Sequence, residues 1–282
     1  MIKLGEFNTL TILRRLEQGY YLGPADSIDQ AESVLLPNRY ITEDMQIGDT
    51  IDVFVYNDSE DRIVATTLIP KITLNMFACL DVVNVTDYGA FLDWGLAKDL
   101  FVPYAEQSRK MEEGEGHIVY LYIDELTNRL VASSKLTRFL DKDKPLFSEN
   151  EEVDLLIAQR SDIGINVIIN DRYKGILYEN EIFQELILGQ RVKGYIKKIR
   201  EDNKIDVSLQ RSGYVNVLPN EQKILAKLKE ENGFLPLNDY SSPEEIVASL
   251  AMSKKVFKKA IGSLFKQRLI RIEEKGISLT KN

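Results

Sequence analysis

Up to about residue 218, apolar and polar positions alternate in short runs cut by Gly, Asn and Asp. A period of two bounded by turn formers predicts strands joined by tight turns. Three of these runs share one design. Arg62-Ile63-Val64-Ala65-Thr66-Thr67, Arg129-Leu130-Val131-Ala132-Ser133-Ser134 and Lys204-Ile205-Asp206-Val207-Ser208-Leu209 each follow a polar turn, and each turn follows a β-rich segment (residues 51–56, 118–123 and 192–199). Starting points at residues 62, 129 and 204 describe three copies of one small domain.

The front halves of the copies agree as well. Gly19-Tyr20-Tyr21-Leu22 corresponds to Gly89-Ala90-Phe91-Leu92 and Gly164-Ile165-Asn166-Val167, and Val34-Leu35-Leu36-Pro37 to Leu100-Phe101-Val102-Pro103 and Gly175-Ile176-Leu177-Tyr178. Residues 80–136 show the plan most clearly: five short strands in under sixty residues, the pattern of a small β-barrel. Linkers are expected near Pro70-Lys71 and across the charged residues 141–145.

After Pro219 the period lengthens to about 3.6. Residues 221–232 predict a helix ended by Gly233, and Ser242-Pro243-Glu244-Glu245 opens a second with an N-cap, a proline in the first turn and acids behind it. Ser253 caps a third, over residues 254–267, with an expected buried stripe of Val256, Phe257, Ala260, Ile261, Leu264 and Phe265. Residues 269–273 and 276–279 then predict a two-stranded wing. The expected architecture is mainly β with a C-terminal α+β module: five-stranded OB-fold barrels over residues 1–70, 71–140 and 147–212, and a winged helix-turn-helix over residues 218–282.

Charge refines this picture. The chain carries a net −8, yet residues 219–282 hold 12 Lys/Arg against 8 Asp/Glu and residues 1–218 hold 24 against 36. An acidic body with a basic end leaves room for a polyanion, because local field governs such contacts more than total charge does. The single cysteine, Cys79, has no internal disulfide partner, and no apolar run approaches a membrane span or the core of a signal peptide. A cytoplasmic protein without membrane contact is the expectation.

The glycine followed by an aromatic, the third-strand motif and the closing hairpin together resemble the S-one repeat, an RNA-binding OB-fold domain. Three such copies followed by a winged helix resemble the conserved virulence factor B family of bacteria. The most specific matches are Phe234-Leu235-Pro236-Leu237-Asn238-Asp239, Ser241-Ser242-Pro243-Glu244-Glu245-Ile246 and residues 252–262. The resemblance implies an RNA-binding protein linked to control of virulence-factor and stress-related gene expression. Departures from the repeat are visible: Pro37 and Pro103 stand where a third-strand aromatic or histidine often sits, and copy three has Asn166 in place of the second-strand aromatic.

Single strands are held by stacking bases on exposed aromatics within a basic groove. Tyr21, Tyr88, Phe91 and Tyr178 are placed either to stack bases or to fill and brace their barrels. Lys193, Tyr195 and Lys197 alternate on one face of a strand, with Lys198, Arg172 and Lys174 nearby, and suit either a phosphate backbone or a solvated surface. Lys254, Lys255, Lys258 and Lys259 form two ridges on the third helix, the recognition position of a helix-turn-helix. That helix lacks Arg, Asn or Gln in its first turns, which favours backbone contact over base reading. The single histidine, His117, has no cluster with which to share a metal, and no nucleophile elbow or phosphate-binding glycine loop occurs. A non-catalytic binder of single-stranded RNA, with no cofactor and no metal, is therefore expected. A duplex-DNA transcriptional regulator and a protein-interaction scaffold stand as alternatives.

Overall fold

The computed structural model describes residues 1–25, 32–143, 145–179, 182, 185–209, 211 and 219–280. They form two compact units, Met1–Arg211 and Ser212–Asn282.

The first unit holds three five-stranded barrels in tandem. Barrel one comprises β1 (Phe7–Leu16), β2 (Gly19–Gly23), β3 (Val34–Pro37), β4 (Thr50–Asn57) and β5 (Ile63–Thr66). Barrel two comprises β6 (Phe77–Thr86), β7 (Gly89–Asp93), β8 (Leu100–Pro103), β9 (Gly116–Ile123) and β10 (Leu130–Ser133). Barrel three comprises β11 (Glu152–Ser161), β12 (Gly164–Ile169), β13 (Tyr173–Tyr178), β14 (Arg191–Ile199) and β15 (Ile205–Ser208). In barrels one and three the third strand runs parallel to the fifth and closes the ring; in barrel two the same five strands form a sheet in the order β10-β9-β6-β7-β8.

The repeated sequence features have repeated physical causes. The first strand of each barrel pairs with both the second and the fourth, and each shifts register at one place: between Ile12 and Arg14, Val82 and Asn84, and Ile157 and Gln159. An extra residue there bends the long strand so that it serves both neighbours. Gly19, Gly89 and Gly164 begin the second strands at φ of 151°, 157° and 150°, and a Cβ on each would lie 2.0, 2.3 and 2.1 Å from the carbonyl oxygens of Leu36, Val102 and Leu177. Only glycine fits where the second and third strands approach so closely. The polar turns before the fifth strands each place one residue in the left-handed region, Asp61, Asn128 and Asn203, types whose short polar side chains tolerate it.

Adjacent barrels share apolar clusters. Trp94, 2% exposed, packs edge-on against Phe54 and Tyr56 of barrel one at 5.8 and 6.1 Å between ring centres. Arg129 of barrel two pairs with Asp61 of barrel one at 2.6 Å. Between barrels two and three, Phe77 and Ile118 are buried with Leu156 and Ile168, and Arg191 donates to the Phe77 carbonyl while pairing with Asp171. Gly189 lies so close that a Cβ would sit 2.2 Å from that of Cys79.

Two residues of the expected linkers, Lys71 and Asp141, make specific contacts with the barrels. Lys71 donates its backbone N–H to the Trp94 carbonyl and pairs with Asp93 at 2.6 Å, and Asp141 takes the Arg172 guanidinium at 2.7 Å. Burial of shared apolar surface fixes these joints, which charged composition alone does not reveal.

The second unit contains α1 (Pro219–Glu230), β16 (Phe234–Leu235), α2 (Pro243–Leu250), α3 (Lys254–Lys266), β17 (Ile270–Glu273) and β18 (Gly276–Leu279). Ser242 and Glu245 form a reciprocal capping box, and the Ser253 hydroxyl accepts from the Val256 N–H. The sheet has three strands, not two: Phe234–Leu235 pairs with β18, giving the order β16-β18-β17. The stripe of α3 is also narrower than its sequence suggests. Phe257, Ala260, Ile261 and Leu264 are buried, whereas Phe265 is 53% exposed.

Candidate nucleic-acid interface

Inward positions of β2 and β7 fill the barrels: Tyr20 and Leu22, Ala90 and Leu92. The alternate residues Tyr21 and Phe91 therefore lie on the outer face, half-buried. The Arg14 guanidinium lies over the Tyr21 ring at 4.9 Å from its centre. Phe91 faces its cross-strand partner Phe101, their ring centres 5.0 Å apart, and Phe101 reaches across Gly89. Tyr88 stands in the adjoining turn, 80% exposed. Barrel two thus presents an aromatic ledge, and its Phe101 half escapes a sequence reading that looks for the ring two residues later, at Pro103.

Barrel three differs. Tyr178 is half-buried: its hydroxyl accepts from Arg200 and donates to Asp206, and the Arg200 guanidinium lies over its ring at 5.8 Å from the centre. Lys193 lies opposite Asp154 and pairs with it at 2.8 Å, which raises the ammonium's pKa. The Tyr195 hydroxyl donates to Glu152 at 3.2 Å. Arg172 is held by Asp141. A register shift beside Lys197 turns both it and Lys198 to solvent. The strand is therefore less cationic in its setting than in its sequence, because β11 answers it with carboxylates. Lys174, exposed on β13, has no ion-pair partner among the described residues.

In the second unit, Lys255, Lys258 and Lys259 are exposed on α3, with Lys254 partly so. None of the four has an ion pair among the described residues, where the ion pairs of this unit involve Lys227 on α1. They form a cationic ridge opposite the buried stripe.

His117 is 5% exposed and bonded to Glu115 at 2.9 Å. Among the described residues no cluster of His, Cys, Asp and Glu side chains stands ready for a metal ion. Burial and the neighbouring Asp81 push the Cys79 thiol above its ordinary pKa, so it is a poor nucleophile at neutral pH. No helix among the described residues is long and apolar enough to cross a membrane.

Comparison with known proteins matches residues 4–68 to the S1 domain and residues 222–279 to the CvfB-like winged helix domain. The S1 match falls on barrel one rather than on the copy whose sequence shows the plan best. The chain is 30% identical to the uncharacterized protein YitL of Bacillus subtilis, covering 93% of this chain and 89% of that one. It is likewise 30% identical to conserved virulence factor B of Staphylococcus epidermidis, covering 89% and 87%. A multidomain protein with nucleic acid binding domains from Streptococcus pneumoniae is similar at 25% identity and a TM-score of 0.43, over 98% of each chain.

Proposed function

This chain belongs to the conserved virulence factor B family, and we propose that it is a non-catalytic, cytoplasmic regulator of gene expression that binds single-stranded RNA. The observation that carries this reading is the outward aromatic on the second strand of barrels one and two: Tyr21 under Arg14, and Phe91 beside Phe101. An OB barrel offers that face to unpaired bases, and a ring there stacks with any of them. The S1 and winged-helix matches support nucleic acid as the partner class. The α3 lysines supply phosphate contacts without the side chains that read duplex bases.

Competition distinguishes single strand from duplex. A fluorescent uridine oligonucleotide bound to the full chain should resist displacement by duplex DNA of equal length. Phe91→Ala should weaken the complex about 5- to 150-fold, the equivalent of removing one base stack of roughly 1–3 kcal/mol. Preferential binding of duplex DNA that disappears in Lys254→Ala/Lys258→Ala would instead establish a DNA-binding regulator led by α3.

A further inference from the structure

Between barrels two and three lies an open cleft of about 780 Å³. Its floor is the apolar joint itself, with Ile118 and Leu136 on one side and Ala158 and Ile168 on the other. Among the described residues its walls carry five cations, Arg109, Lys135, Arg138, Arg160 and Lys174, and not one Asp or Glu. Glu115 pairs with Arg109 and Glu106 with Arg138 from outside the cleft. Lys135, Arg160 and Lys174 are exposed and have no ion pair among the described residues. In a body whose first 218 residues carry 36 acids against 24 bases, so one-sided a lining marks a place for an anion.

The cleft also contains groups suited to reading a base. Gln159 on β11 and Asn166 on β12 are cross-strand partners, so two side-chain amides stand side by side. Asn166 occupies the register position that carries Tyr21 in barrel one and Phe91 in barrel two. Barrel three therefore replaces a ring, which stacks on any base, with an amide, which bonds to particular base edges. An apolar floor for base faces, amides for base edges and cations for phosphates together describe a site for an unpaired nucleic-acid strand. A duplex would keep its Watson–Crick edges paired and its base faces stacked on one another, away from the apolar floor.

Resting on the RNA reading above, we propose that this composite cleft is a selectivity site of the protein: one stretch of single-stranded RNA enters between barrels two and three. Lys135, Arg160 and Lys174 hold its phosphates, and Gln159 and Asn166 discriminate among its bases. Neither barrel forms the site alone, since Lys135 comes from the end of barrel two and the amides come from barrel three.

Full-length wild type, Lys135→Ala/Arg160→Ala/Lys174→Ala and Gln159→Ala/Asn166→Ala are compared by anisotropy on uridine, adenosine and cytidine oligonucleotides over a salt series. Circular dichroism melts run alongside, and all five substituted side chains lie at the protein surface or half-buried on an outer face. The triple variant should weaken every RNA by a similar factor and flatten the slope of log affinity against log salt by about 2, roughly 0.7 for each phosphate no longer neutralised. The amide variant should keep that slope and narrow the differences among the three RNAs by about threefold or more. If both variants bind each RNA with wild-type affinity and slope, the cleft is not the site while the RNA reading stands. If wild type binds no RNA at low salt, the RNA reading fails and the cleft assignment falls with it.

Discussion

The residues that repeat through the first unit do so for backbone reasons, and these are the most legible part of the sequence. Gly89 is required because the Val102 carbonyl occupies the place of a Cβ, and the same holds at Gly19 and Gly164 with their own carbonyls. Gly89→Ala should therefore cost about 3 kcal/mol or more, combining a positive φ with a clash, and should lower the urea midpoint of the full chain. An unchanged midpoint would refute that account. The turn aspartates make a second prediction. Burial raises the Asp58 pKa, but bonds from Arg62 and from the N–H groups of Arg62 and Glu60 outweigh it, and the net shift is downward. Asp124 is lowered by Thr127 and Asp202 by Lys204. A carboxylate whose folded pKa is depressed stabilises the fold fully above its unfolded value, about 3.9, and the contribution disappears as pH falls through the folded pKa. The urea midpoint should thus hold steady from neutrality to about pH 5 and fall below about pH 4. Asp58→Asn/Asp124→Asn/Asp202→Asn should make that acid fall shallower, and an equally steep fall in the variant would contradict the assignment.

At the scale of elements, alternation and capping locate strands and helices well, while partners across a sheet stay invisible in sequence. The capping box at Ser242 is readable because its signal is local. The neutralisation of Lys193 by Asp154 is not, because it depends on which strand β14 pairs with. Phe101 is hidden for a related reason: only the register of β7 against β8 sets it beside Phe91. Phe234–Leu235 likewise falls in no element expected from sequence, and β18 supplies its partner. Among the expected phosphate contacts, the α3 lysines, free of ion pairs among the described residues, are therefore better placed than Lys193 to meet a polyanion. Lys193→Ala should change RNA affinity less than Lys258→Ala in the same anisotropy titration; the reverse order would show that Asp154 does not hold Lys193 in solution.

For the whole molecule, the number and kind of modules are legible in sequence, but the way the barrels join is not. Trp94, at the end of a strand in sequence, packs against the aromatic core of barrel one, and the charged segment after barrel two is tied to barrel three through Asp141 and Arg172. These joints make the cleft between barrels two and three, with its cations and paired amides, a feature of the assembled unit rather than of any one copy. The central claim, that the chain binds single-stranded RNA chiefly through its phosphate backbone and a few outward rings and amides, meets its most direct test in one titration. Anisotropy of a labelled single-stranded RNA with the full-length chain, repeated from about 50 to 200 mM salt, should show binding that weakens linearly on a log–log plot with a slope steeper than about −2. No binding at the lowest salt, or an affinity indifferent to salt, would contradict it.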